Sequence, residues 1–314
     1  MPVPSPVAAS AASRGPRRRR RLLRAVSATA AVVVAAGAAL AVPSGPARAF
    51  GWWPPHGDAC GKTVFKSDGT PWQCTFDDEF SGNQLDTSKW VVNKTADTGF
   101  YVGRTCMTGD NVAVHNGTLE LTAEDTGHYF ACKKPWGAFL TRYTGAHIGT
   151  VGKFTQTYGR FEVRARYPRS GAGVHAGFWM YPNQSTYGAW PVSGEIDVSE
   201  WWSGSPHNAL PTLHYRGSNT QKDSGWGCLV DDPTQWHTYS VDWQPTQMQF
   251  SIDGDVCFTD TWSPLWPQSA PQPFDQPFAM LLSMSVEQSL GPNGVTAQTA
   301  FPATYQVDYV KAWK

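Results

Sequence analysis

The chain is 314 residues long and balances 25 Lys plus Arg against 25 Asp plus Glu, a formal net charge of zero that hides a strong asymmetry. Eight arginines and no acids fall in the first 49 residues, so the remaining 265 (314 − 49) carry 17 (25 − 8) basic and 25 acidic side chains, a formal charge of −8. A body that acidic has no basic footprint for nucleic acid or an anionic membrane and suits a neutral polymer; it is long enough to bury a substantial core alone.

The first segment, residues 1–49, reads as a secretory signal peptide. Arg17 to Arg21 and Arg24 precede an apolar stretch from Ala28 to Val42, and Ala47-Arg48-Ala49 offers a small-residue cleavage site after Ala49. That stretch is too short for a membrane span, which needs about 18 apolar residues. The expected product is a secreted, extracellular protein, with general secretion and twin-arginine export both open. Residues 50–74, rich in Pro, Gly and Trp, read as an irregular segment pinned by Cys60.

From 75 to 314 the periodicity is short and strand-like. Thr118 to Thr122, Gly159 to Tyr167, Thr238 to Trp243, Gln249 to Ile252 and Val307 to Trp313 are each bounded by Gly, Pro, Asn or Asp. No apolar period of 3.6 residues appears. Many short strands between turn signals indicate an all-β sandwich or barrel. The six cysteines, an even number in an exported chain, imply disulfides. Fifteen connectivities are possible, and sequential pairing (Cys60 with Cys74, Cys106 with Cys132, Cys228 with Cys257) is the one expected. No Cys/His spacing suits zinc, and neither a G-x-S-x-G elbow nor a phosphate loop is present.

The chemistry concentrates in Gly194-Glu195-Ile196-Asp197-Val198-Ser199-Glu200, three carboxylates within six strand-like residues, with Trp190 before and Trp201 and Trp202 after. Strict alternation puts Glu195 and Asp197 on one face and Glu200 on the other. One bulged residue near Val198 or Ser199 would return Glu200 to the first face, and bulges favour active sites. Four effective residues then separate the two Glu Cα atoms by roughly 13 Å, which side chains leaning together shorten. A carboxyl separation of about 5 to 5.5 Å serves a retaining glycosidase, and about 6.5 to 9.5 Å an inverting one; the spacing favours retention. The plainer reading is an amphipathic strand with its acids in water, but like charges along one strand face repel and no Lys or Arg stands nearby to offset them. Trp179 and Trp190 are candidate platforms for the apolar faces of sugar rings.

These residues resemble the signature of glycoside hydrolase family 16, in the bulged E-x-D-x-x-E form of laminarinase-type endo-β-1,3-glucanases. The resemblance extends through Phe76-Asp77-Asp78-Glu79-Phe80, Leu85 to Trp90, Tyr158-Gly159-Arg160-Phe161-Glu162-Val163-Arg164, Gly177-Phe178-Trp179-Met180, Leu213-His214-Tyr215, Trp236 to Trp243, Ile252-Asp253-Gly254 and Val307-Asp308-Tyr309-Val310, so that it covers residues 75–314 as one catalytic domain. It implies a β-jelly roll: two curved antiparallel sheets with a glycan groove across the concave face. It also implies Glu195 as nucleophile, Glu200 as acid/base and Asp197 as the residue orienting Glu195. Substrate contacts are implied for Asn111, Glu162, Arg164, Trp179, Trp190 and His214. No catalytic cofactor is implied. A structural calcium is suggested at Glu79, Gly117 and Asp308, since oxygen donors suit a hard cation. The expected partner is a β-glucan polysaccharide or oligosaccharide, bound by a monomer. Other activities on the same fold are β-1,3-1,4-glucan or galactan hydrolysis, transglycosylation, or glucan binding without catalysis. Two departures bear on the groove: the run Leu281 to Leu290 replaces a late Gly-Gly and Trp run, and Ser199 stands where many laminarinases have Met.

Overall fold

The computed structural model describes residues 60–288 and 291–314. The expected signal peptide, residues 50–59, and the last two residues of the Leu281 to Leu290 run lie outside that range. The chain runs β1 (Cys74–Asp78), β2 (Val91–Val92), α1 (Thr95–Thr98), β3 (Cys106–Met107), β4 (Val112–His115), β5 (Thr118–Lys134), β6 (Gly137–Gly149), β7 (Gly159–Arg166), β8 (Val174–Pro182), β9 (Glu195–Trp202), β10 (Ala209–His214), β11 (His237–Trp243), β12 (Met248–Ile252), β13 (Asp255–Asp260), β14 (Phe278–Val286) and β15 (Ala303–Trp313).

The strands form one continuous hydrogen-bonded path, β10-β9-β8-β14-β6-β5-β15-β7-β11-β12-β13, with β1, β2, β3 and β4 joined at its sides. The path is antiparallel throughout, and among the described residues only the short β3 pairs parallel, with β6. The two longest strands, β5 and β6, carry it from a site leaf (β10-β9-β8-β14-β6) to an outer leaf (β5-β15-β7-β11-β12-β13). This is the expected jelly roll. On β7, Phe161, Val163 and Ala165 point into the core while Arg160, Arg164 and Arg166 stand on the outer surface, the period-2 pattern of a half-buried strand. Between β4 and β5 the turn Asn116-Gly117 holds φ of +50° and +75°, a conformation that favours this residue pair in a two-residue hairpin.

Aromatic rings join the leaves. The Tyr167 ring lies between Trp201 of β9 and Tyr305 of β15, nearly parallel to both at 4.8 and 5.0 Å, and its hydroxyl meets Ser199 Oγ at 2.6 Å. Every residue of β14 is buried: Phe278, Met280, Leu282, Met284 and Val286 belong to the core, while Leu281 and Ser283 line a cavity on the other face. A central strand covered on both faces loses the polar alternation that marks a strand in sequence.

The three disulfides pair sequentially, Cys60–Cys74, Cys106–Cys132 and Cys228–Cys257, as expected. The first closes residues 60–74, where Cys60, Trp72 and Trp313 form a small cluster of their own.

Candidate active site

The bulge is present. Phe178 and Trp179 of β8 are consecutive, yet they face Ser199 and Asp197 of β9, so Val198 is the extra residue. The β10 partner agrees: Leu210 faces Glu200 and Thr212 faces Asp197, two steps against three. Val198 turns into the core, Glu195, Asp197 and Glu200 share the outward face, and all three border one cavity of about 510 Å³. A cavity of this volume admits a few sugar rings.

Register lays out the floor in rows. Asp197 is followed across the leaf by Trp179, Leu281 and Gly149; Glu200 by Gly177, Ser283 and His147; Trp202 by His175 and Ser285. Trp190, half-exposed, donates its indole N–H to Glu195 Oε2 at 2.6 Å. His214, opposite Glu195 on β10, places Nε2 3.0 Å from Asp197 Oδ2, an ion pair lying off the hydrogen-bond direction. On the far side His175 Nε2 lies 3.0 Å from Glu200 Oε1, its ring stacked on Trp202 at 4.7 Å and its Nδ1 3.4 Å from Ser285 Oγ.

Crowding of negative charge sets the protonation. Burial first, then the Asp197 charge, push Glu195 up to about 8; burial and Glu200 push Asp197 to about 6. For His214 burial pulls downward, but Asp197 and the two glutamates outweigh it and hold the imidazole up at about 9. The cluster therefore retains protons that model peptides would have lost, and these belong to the group rather than to one carboxyl. The folded state binds more protons than the unfolded chain between pH 4 and 9, so the stability supplied by the cluster is complete at the acid end and is lost as pH rises. Glu195→Gln removes the largest part, so its melting temperature relative to the parent is expected to climb between pH 5 and pH 8. A flat difference across that range would contradict this protonation scheme.

Of the residues picked out by sequence, Glu195, Asp197, Glu200, Trp179 and Trp190 line the cavity, and His214 joins them through Asp197. The others are placed elsewhere. Glu162 and Arg164 lie on the outer face of β7, in the opposite leaf, where Glu162 pairs with Arg160 and the Tyr309 hydroxyl and Arg164 pairs with Asp308 over the Trp236 ring. Alternation sends Phe161, Val163 and Ala165 to the core, and so sends these charges outward. Asn111 is buried with its amide used by Thr122 O, Thr144 Oγ1 and the Thr108 hydroxyl. The suggested calcium donors do not fit a divalent cation: Lys311 sits on the Glu79 carboxylate, Arg164 on Asp308, and Gly117 is in the β4–β5 turn.

Sequence reasoning missed His175, His147, Asn93, Phe100 and Tyr181, all on the cavity wall. His147 is enclosed between the rings of Phe100 and Trp179, at 4.6 and 5.6 Å, and burial lowers its pKa to about 3. One signal was available for His175. It stands four residues before Trp179 on the same strand and therefore on the same face. Its contact with Glu200 is expected to position that carboxyl. His175→Ala is expected to lower kcat/KM about tenfold to a hundredfold and to change the shape of its pH profile, with partial recovery in His175→Gln. An unchanged profile would remove the role.

Fold and site together define a carbohydrate-active β-jelly roll with an acidic, tryptophan-walled cleft. The profile of Glycosyl hydrolases family 16 matches residues 102–311, and the chain belongs to that family. It is 31% identical over 260 residues to a glucan endo-1,3-beta-glucosidase A1 of Niallia circulans, covering 76% of this chain but only 37% of that protein. It is 30% identical over 265 residues to a glucan endo-1,3-beta-glucosidase of Cryptopygus antarcticus, covering 77% and 92%. The solved laminarinase of Rhodothermus marinus superposes with a TM-score of 0.60 at 29% identity, over 77% of this chain and 97% of the other.

Proposed function

We propose that this chain is a secreted endo-glucanase that hydrolyses internal β-1,3-glucosidic bonds with net retention. The observation that carries the reading is the Val198 bulge, which gathers Glu195, Asp197 and Glu200 on one cavity face and gives each a different partner. Glu195 attacks the anomeric carbon while Glu200 gives its proton to the departing glycosidic oxygen, leaving a glycosyl ester on Glu195. Glu200, now a carboxylate, takes a proton from water, and the resulting hydroxide equivalent attacks the same carbon and frees Glu195.

For Glu195 to attack as a carboxylate, its proton must shift to Asp197 within the cluster. Imidazolium at His214 and the Trp190 N–H then offset the remaining charge. Trp179 and Trp190 supply faces for sugar stacking. The three disulfides support an oxidising, extracellular setting, and the 1,3 preference draws on the two glucan endo-1,3-beta-glucosidases among the relatives.

Reducing-end release from laminarin, lichenan, agarose and carrageenan tests the reading. Laminarin should be cleaved best, and proton NMR should show the β anomer first. Preference for lichenan or a galactan would replace the linkage, an α product would overturn retention, and binding without release would favour a glucan-binding protein.

A further inference from the structure

Beyond the body of the sandwich, β5 and β6 continue as a two-stranded arm. After an irregularity between Asp125 and Phe130 the ladder resumes at Phe130 opposite Thr141 and ends at Lys134 opposite Gly137. From Thr144 to Gly137 the arm is roughly 24 Å long at about 3.4 Å per residue. Its tip holds Trp136 at 90% exposure, and Leu140 along one strand is 63% exposed. Clustered exposed apolar side chains of this kind mark interaction surfaces.

Near the tip of the arm the surface is organised. The Tyr101 ring packs at a tilt against Phe139 at 4.6 Å, the Lys134 ammonium lies over both rings at 5.4 and 5.8 Å, and the Arg104 guanidinium lies 5.6 Å from the Phe139 ring. Arg104 also donates one N–H to Leu140 O at 3.2 Å, and the guanidinium carries further N–H donors beside the three of the Lys134 ammonium. The assembly is also rigid. Cys106–Cys132 ties the arm to β3, the Thr105 hydroxyl donates to Val286 O and accepts from Val286 N–H, and Gly103 (φ +54°) lies so close to Val286 O that a Cβ would stand 2.3 Å from it. Pre-set geometry reduces the ordering cost of binding. The surface is continuous with the active-site cavity, because Phe100 and Val102 line that cavity while Tyr101, between them, turns to the arm.

We propose that this arm is a second glycan-binding platform, gripping the polysaccharide outside the catalytic cavity by stacking sugar rings on Trp136 and Tyr101 and by donating hydrogen bonds from Lys134 and Arg104 to their hydroxyls. It rests on the β-glucan reading above and adds a site for the part of a long chain that the cavity does not hold. An aromatic platform reads ring faces, so the arm raises affinity for long chains and leaves the bond-breaking step unaffected.

Trp136→Ala and Tyr101→Ala alter exposed side chains and should leave the fold unchanged. On polymeric laminarin each is expected to raise KM about threefold to tenfold with kcat unchanged, and on a laminari-oligosaccharide short enough for the cavity to change neither. In the Glu195→Gln background, migration through a laminarin-containing gel should be retarded less when Trp136 is replaced. If the parent cleaves laminarin and neither substitution alters KM or retardation, the platform is wrong while the function stands. Equal losses on short and long substrates would also overturn it. If the parent neither cleaves nor binds laminarin, the β-glucan reading falls and the platform falls with it.

Discussion

Glu195→Gln should abolish turnover of laminarin, a loss of about 10⁴-fold or more, and Glu200→Gln should cost about 10²- to 10⁴-fold. The two losses have different causes, and a small nucleophile separates them. In Glu200→Ala the glycosyl ester can still form on an activated substrate, and azide, which needs no base to deprotonate it, should restore turnover and yield a β-glycosyl azide. In Glu195→Ala azide would enter from the vacated nucleophile side and give the α product. Identical azide products from the two variants would mean that the roles are misassigned. Carboxamides keep the shape of the site, so a loss in Glu195→Gln with an unchanged near-UV spectrum reports chemistry and not collapse.

Inserting one alanine between Val198 and Ser199 is the second large effect. The bulge absorbs one extra residue, so a second one shifts the alternation by a single position and turns Glu200 toward the core; deletion of Val198 would instead leave Glu195, Asp197 and Glu200 at even spacing on one face. With the insertion Trp201 would leave its place against Tyr167, so the insertion is expected to eliminate measurable activity and to lower the melting temperature markedly. Val198→Ala preserves the residue count. It should keep activity within about tenfold of the parent while destabilising by about 2 kcal/mol, the cost of a small core truncation. Activity in the insertion variant close to that of Val198→Ala would refute the dependence of the site on this one-residue register.

The legible parts of this chain were those written in local patterns. Alternation on β7 and β15, turn residues between strands, and the clustering of three acids beside tryptophans pointed to an all-β domain with a carboxylate site. β14 was harder, because burial on both faces erases alternation. Glu162 and Arg164 show the opposite limit: their likeness to a sugar-binding motif survived, but the register of β7 with β11 and β15 places them on the outer leaf as structural ion pairs.

Two residue pairs mark the boundary between sequence and tertiary structure. The spacing from Glu195 to Glu200, read against the period-2 geometry of a strand, was enough to require an extra residue near Val198, because alternation is a local property of the backbone. The link between His175 and Glu200 was not available in that way. The two lie 25 residues apart on different strands and meet because β8 pairs with β9 in one particular register, a choice made by the packing of the whole core.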